Sequence, residues 1–252
     1  MKNERIRYYE SFTDDFDESA DQNFKIPDDY KWIRTDIWSR ILSAVIYAIA
    51  VAVGAVYCRL VLSMHTHGKK KLKSVQGGYF IYGNHTQPFG DVFIPALCAH
   101  PRRIYTIVSP ANYGIPVIGK ILPYLGALPT VGTLHGIREL DAAIRTRISN
   151  GHPVVIYPEA HVWEYYTKIR PFSDASFGFP ARMGAPVFSM TAVYKRSWLH
   201  KRPTMHMYID GPFYPEGNTP KEKAVSLCDT VTRSMTARSL ESDVEYIKYV
   251  EK

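Results

Sequence analysis

Residues 41–58 read ILSAVIYAIAVAVGAVYC, eighteen in a row without a charge. Backbone this apolar must satisfy its own hydrogen bonds wherever it leaves water, which selects a helix. At about 1.5 Å per residue the run spans about 27 Å, near the lower limit for crossing a bilayer. Trp32 and Trp38 precede it; Arg59 and Lys69-Lys70-Lys71-Leu72-Lys73 follow it, as interfacial anchors do. Three readings stay open here: a span, a helix lying in the interface, or a long core helix. Lys and Arg number four in the twenty residues before the run and five in the twenty after, which sets no orientation. The run begins forty residues in and lacks a small-residue cleavage site, which reads against a cleaved signal.

Charge is spread unevenly. Residues 1–36 carry 6 Lys/Arg and 10 Asp/Glu, a net of −4, so the rest of the chain carries +11. A basic body next to an apolar helix draws anions such as phospholipid headgroups. Nucleic acid is not expected as a partner, because no binding motif accompanies the charge. The acidic segment 1–36 reads as an arm, free or loosely docked through its scattered aromatics. Three cysteines, Cys58, Cys98 and Cys228, show no paired spacing, which argues against a disulfide scaffold or a thiolate zinc site and fits a reducing compartment.

From residue 65 onward, apolar strand-like runs alternate with amphipathic helical ones. Strands are expected at 79–83 (YFIYG), 103–109, 153–157 (PVVIY), 186–193 and 204–210. A helix is expected over 133–150, with Leu134, Ile137, Leu140, Ile144 and Ile148 on one face and Gly151 at its end. Another is expected over 220–240, with Ala224, Leu227, Cys228, Val231 and Met235 buried. This alternation predicts an α/β domain over 65–252 with a mostly parallel sheet flanked by helices, behind a membrane-associated or transmembrane helix at 37–64.

Chemistry gathers at two strand ends. The first strand leads into Gly83-Asn84-His85-Thr86-Gln87-Pro88-Phe89-Gly90-Asp91. In open α/β sheets sites collect where strands end, and a carboxylate beside an imidazole fixes its tautomer so that the other nitrogen can take a proton. No serine or cysteine stands beside the pair, so an attacking hydroxyl would belong to a substrate. The third strand ends in Tyr157-Pro158-Glu159-Ala160-His161, followed by Tyr165, Tyr166, Lys168 and Arg170. His65-Thr66-His67, beside the lysine run, reads as an interfacial loop rather than a metal pair.

A Gly-Asn-His…Asp box about 75 residues before a (Phe/Tyr)-Pro-Glu box, behind an apolar helix, resembles the glycerolipid acyltransferase superfamily over residues 75–200. The resemblance implies a membrane-associated enzyme whose catalytic domain lies on the cytoplasmic side. It implies acyl-CoA or acyl-carrier protein as donor, a lipid hydroxyl as acceptor, and no metal or cofactor beyond that co-substrate. By position, His85 resembles the catalytic base and Asp91 its partner. Asn84 and Glu159 resemble residues of the substrate side, and Gly184-Ala185-Pro186-Val187 resembles the last box. The chain departs from the pattern in three places. Five residues separate His85 from Asp91 where the family has four. Val162 stands in place of the arginine of Pro-Glu-Gly-Thr-Arg, and Gly132 in place of the arginine of the middle box. Since those arginines hold the acceptor phosphate, Lys168 and Arg170 are the expected substitutes. A hydrolase, a CoA-independent transacylase and a catalytically silent lipid-binding protein remain alternatives.

Overall fold

The apolar strand segments occupy the middle of one sheet. A computed structural model describes residues 5–16, 24–199 and 201–252. Its elements run β1 (Arg5–Tyr9), α1 (Ile37–Leu60), β2 (His65–His67), β3 (Phe80–Gly83), α2 (Gly90–Ala99), β4 (Tyr105–Val108), α3 (Ile118–Leu125) and β5 (Ala127–Pro129). They continue with α4 (Leu134–Ser149), β6 (Val154–Ile156), α5 (Gly178–Met183), β7 (Val187–Lys195), β8 (Thr204–Phe213), α6 (Pro220–Ser239) and β9 (Ile247–Glu251). The main sheet has the order β2-β8-β7-β3-β6-β4-β5. From β7 to β5 the neighbours are parallel; β8 runs antiparallel to β7 and carries β2 parallel to itself.

Burial on both faces explains the central strands. Every residue of β3 and β6 is buried, as is β7 up to Tyr194. Because side chains alternate across a strand, Tyr79 and Ile81 enter one core beside α1 and α2, while Phe80 and Tyr82 enter a second beneath α4 and α6. The expected strands and the two long helices stand within a few residues of their places. In α6, Ala224, Leu227, Cys228, Val231 and Met235 are buried, and a capping box between Thr219 and Glu222 starts the helix. In α4 the buried face differs from the expected one. Leu140, Ala143 and Ile144 are buried, but Leu134 and Ile137 in its first turns are exposed.

The acidic arm is docked through β1 and the residues up to Phe16, and again through Tyr30 and Trp32; residues 17–23 lie outside the described ones. β1 pairs in parallel with β9, so the two ends of the chain form a separate two-stranded sheet. Helix α1, started by Asp36 accepting from Ser39 N, is lengthened to 24 residues. One side of it packs on α2 and α3. Ser43 Oγ donates to the Tyr124 carbonyl at 2.7 Å, Tyr47 Oη accepts from Ile104 N, and Cys58 joins the first core. The other side exposes Trp38, Leu42, Val45, Ile49, Val53 and Val56, residues spaced three and four apart.

Gly54 sets the distance between α1 and α2, because a Cβ there would lie 2.6 Å from the Cβ of Phe93. That atom is the root of its side chain, so relief requires a backbone shift. Gly54→Val is expected to destabilise the protein by about 1–3 kcal/mol through overpacking, read as a fall in the thermal unfolding midpoint. Val53→Ala, on the exposed side, should stay within about 0.5 kcal/mol of wild type.

Candidate active site

Strands β3 and β6 are parallel neighbours, so the loops that leave their C-terminal ends lie side by side. Backbone bonds zip the two loops together. Trp163 N donates to the His85 carbonyl and Tyr165 N to the Thr86 carbonyl, both at 3.0 Å. Gly83 is required at the exit from β3, where a Cβ would meet the Tyr157 ring at 2.7 Å. That ring stacks on the His85 imidazole with centroids 4.4 Å apart and planes 18° from parallel.

His85 Nδ1 lies 2.7 Å from Asp91 Oδ2. The same oxygen accepts from Thr86 N at 3.0 Å and Gln87 N at 2.9 Å. Three donors on one buried oxygen fix the carboxylate, and the position of Asp91 in the first turn of α2 adds the favourable end of the helix dipole. The longer His-to-Asp spacing is absorbed here, because the loop curls so that residues 86 and 87 both point their N–H groups at Asp91. His85 itself is one-fifth exposed, and its Nε2 has no protein partner among the described residues. With Nδ1 donating to Asp91, Nε2 is the nitrogen able to accept a proton from a bound hydroxyl.

A buried network supports this loop. Burial pushes the Tyr157 hydroxyl well above its usual range, and the Asp91 charge adds to that, so it remains a donor and bonds the Asp91 carbonyl at 2.8 Å. Tyr194 Oη, raised in the same way by burial, meets Thr86 Oγ1 at 2.8 Å and accepts from Gln87 Nε2 at 2.9 Å. Sequence reading singled out neither Tyr157 nor Tyr194 for this role. Tyr194 lies 109 residues from His85, within an apolar strand that carries no local signal.

The residues expected on the substrate side separate into two groups. Asn84 is buried and clasps the β7 backbone, with Oδ1 accepting from Ala192 N at 2.8 Å. Glu159 is also buried. It accepts from His85 N at 3.2 Å, Arg170 N at 2.9 Å and Arg170 Nη2 at 3.1 Å. Burial pushes its carboxyl upward, while Arg170 and the two backbone N–H groups pull it back. Arg170 is 1% exposed and is occupied by Glu159 and the carbonyls of His161 and Phe12. It therefore presents no free guanidinium to a substrate; sequence order showed its nearness to Glu159 but not its burial against it. Lys168 is exposed and makes no ion pair among the described residues. A cation that sequence reading missed, Arg202 between β7 and β8, lies close enough to oppose the burial-driven rise of the Tyr165 hydroxyl beside Gln87.

The acidic arm closes over the second loop from outside. Arg7 pairs with Glu164 at 3.1 Å, Asp15 with His161 at 3.2 Å, and Trp163 Nε1 donates to the Asp14 carbonyl at 2.8 Å. Trp163 is wholly buried among Tyr9, Phe12, Phe16, Tyr166 and Tyr249.

No protein-family model matches the chain, and neither does any curated protein. Solved structures do match. Across 85% of this chain and 86% of the other, the model superposes on the crystal structure of the 1-acyl-sn-glycerophosphate (LPA) acyltransferase PlsC from Thermotoga maritima, with a TM-score of 0.55 at 16% sequence identity. The two chains share one fold. The PlsC likeness covers the mixed sheet with its flanking helices, and at 16% identity it assigns no task to any residue.

Two stability predictions follow from the loop geometry. Ala160 has φ +64°, a left-handed conformation that a Cβ disfavours by about 1–2 kcal/mol. Ala160→Gly should therefore raise stability, by about 0.5–1 kcal/mol after the added chain entropy of glycine. Arg170→Ala should destabilise by about 3–5 kcal/mol, because it leaves the Glu159 charge buried without its partner. Denaturant unfolding of the two variants checks both.

Proposed function

We propose that this protein transfers an acyl group from a thioester, acyl-CoA or acyl-carrier protein, to a lipid hydroxyl, as an O-acyltransferase of the 1-acylglycerol-3-phosphate type acting in phospholipid or glycolipid synthesis. The observation that carries the reading is the His85–Asp91 pair at 2.7 Å, at the C-terminal edge of the sheet, with Nε2 open, in a fold shared with PlsC. His85 Nε2 takes the proton of the acceptor hydroxyl as that oxygen attacks the thioester carbonyl. The tetrahedral intermediate collapses, the thiolate leaves, and the imidazolium returns the proton to sulfur. Asp91 holds the tautomer and stabilises the imidazolium.

Surface composition supports a lipid acceptor. Phe89 and Val92 are exposed beside Asp91, and the apolar outer side of α1 is exposed along its length. By length and composition α1 is apolar enough to cross a membrane. Its inner side is committed to α3 through Ser43, to the segment before β4 through Tyr47 and to α2 through Gly54, so it fits a helix lying in the membrane interface with the domain attached. On this reading the dyad faces lipid, the body sits on the cytoplasmic side, and Lys168 and Arg202 are the cations left to meet an acceptor phosphate.

His85→Ala should lower turnover by about 10²–10⁴-fold, the usual share of general-base assistance, with unchanged circular dichroism. Asp91→Asn should lose less, since it keeps an acceptor for the two backbone N–H groups. Thiol release from acyl-CoA with a panel of lysolipid and glycolipid acceptors measures both. Near-normal turnover in folded His85→Ala refutes the assignment.

A further inference from the structure

At the opposite edge of the sheet lies a cavity of about 390 Å³ in which positive charge accumulates without an acid. It opens where β4, β5 and β6 begin, against the first turns of α1. The cavity lies at the start of these parallel strands and His85 follows the C-terminal end of β3, so the two sites are on opposite edges of the sheet. Arg34, Arg40, Arg103, Arg147 and His152 line the cavity, and none of its lining residues is Asp or Glu. Among the described residues none of the four arginines forms an ion pair with a carboxylate within 4 Å.

Protein groups occupy only part of each guanidinium. Arg103 donates to Ser43 Oγ at 2.7 Å and to the carbonyls of Tyr124 and Ser43, Arg147 donates to the Trp32 carbonyl at 3.3 Å, and Arg34 to the Lys31 carbonyl at 3.1 Å. The Nε atoms of both are buried with no hydrogen-bond partner. Both guanidinium groups stack on Tyr105, at 4.3 Å for Arg147 and 5.6 Å for Arg103, so two like charges share one ring. Burial and the neighbouring arginines push the Arg147 and His152 pKa values down, as expected where charges of one sign are held together in a half-dry cavity.

We propose that this cavity is a second, non-catalytic site that binds a phosphomonoester dianion. Guanidinium forks match phosphate oxygens in pairs, which suits four arginines converging from α1, its leading segment, the segment before β4, and α4. The aromatic wall of Trp32 and Tyr105 takes the uncharged part of the ligand, and the volume falls within the range of small-ligand pockets. Two sources carry this chemistry: the headgroup of an anionic lipid, or a free phosphorylated metabolite such as a nucleotide. Arg40 and Ser43 face the cavity from the same turns of α1 that expose Trp38 and Leu42. That adjacency favours the lipid source, and this preference alone rests on the interfacial placement of α1 proposed above.

Isothermal titration calorimetry of the full-length protein at constant ionic strength tests the site, with glycerol 3-phosphate and adenosine monophosphate as separate probes. Wild type should bind at least one of them. Arg34→Gln/Arg40→Gln, at the exposed rim, should weaken that binding about ten-fold or more, as should Arg147→Gln. Should Arg147→Gln fail to fold, the rim variant still decides the matter. His85→Ala should bind like wild type, which separates this site from the fate of the proposed acyl transfer. Tighter binding of glycerol 3-phosphate points to a headgroup, and tighter binding of the nucleotide to a soluble ligand. The proposal is overturned if wild type binds neither probe, if the rim variant binds as wild type does, or if binding is lost in His85→Ala or Arg202→Gln instead.

Discussion

Three N–H donors converge on the Glu159 carboxylate: one from the His85 backbone, one from the Arg170 backbone and one from the Arg170 guanidinium. The Glu159 carboxylate and both Arg170 donors lie out of water, where a half-satisfied charge is costly, so the loop after β6 and the loop after β3 hold each other in place. The position of His85 depends on this knot. So does the acidic arm, which reaches the knot through Phe12 and the Arg170 guanidinium and through Asp15 and His161. Chain ends far apart in sequence thus brace the loop that faces the imidazole.

Helix α1 serves two surfaces. Its inner side enters the domain core through Cys58 and through hydrogen bonds from Ser43 and to Tyr47, while its outer side stays apolar and exposed. A helix packed into the fold in this way fixes the distance between the His85–Asp91 pair and its own exposed apolar side. In the reaction proposed above, that fixed distance is what would bring a lipid hydroxyl to His85, the positioning that a reaction between a soluble thioester and an amphiphile needs.

The sheet was legible because its central strands are apolar without interruption and its long helices carry a clear period and caps. Short pieces were not. β5 has three residues and α3 has eight with a proline inside, too little for any period to register. The β1–β9 pair joins residues more than 240 apart, and no local pattern encodes such pairing. In the site, His85, Asp91 and Glu159 stood out from their strand ends. Burial decided the rest: Asn84 and Arg170 read as substrate-facing polar residues, yet both turn inward to hold backbone and carboxylate. The arginine cavity escaped notice because its members come from separate segments of the chain that only the fold brings together.

The measurement that bears most directly on the account is product stoichiometry. Purified full-length protein on mixed lipid vesicles, given a radiolabelled acyl-CoA, should release one thiol for each acylated lipid formed, with free fatty acid at background. Thiol release matched by free fatty acid and no acylated lipid would make the dyad a hydrolase, and no thiol release with either donor class or any acceptor would contradict catalysis altogether.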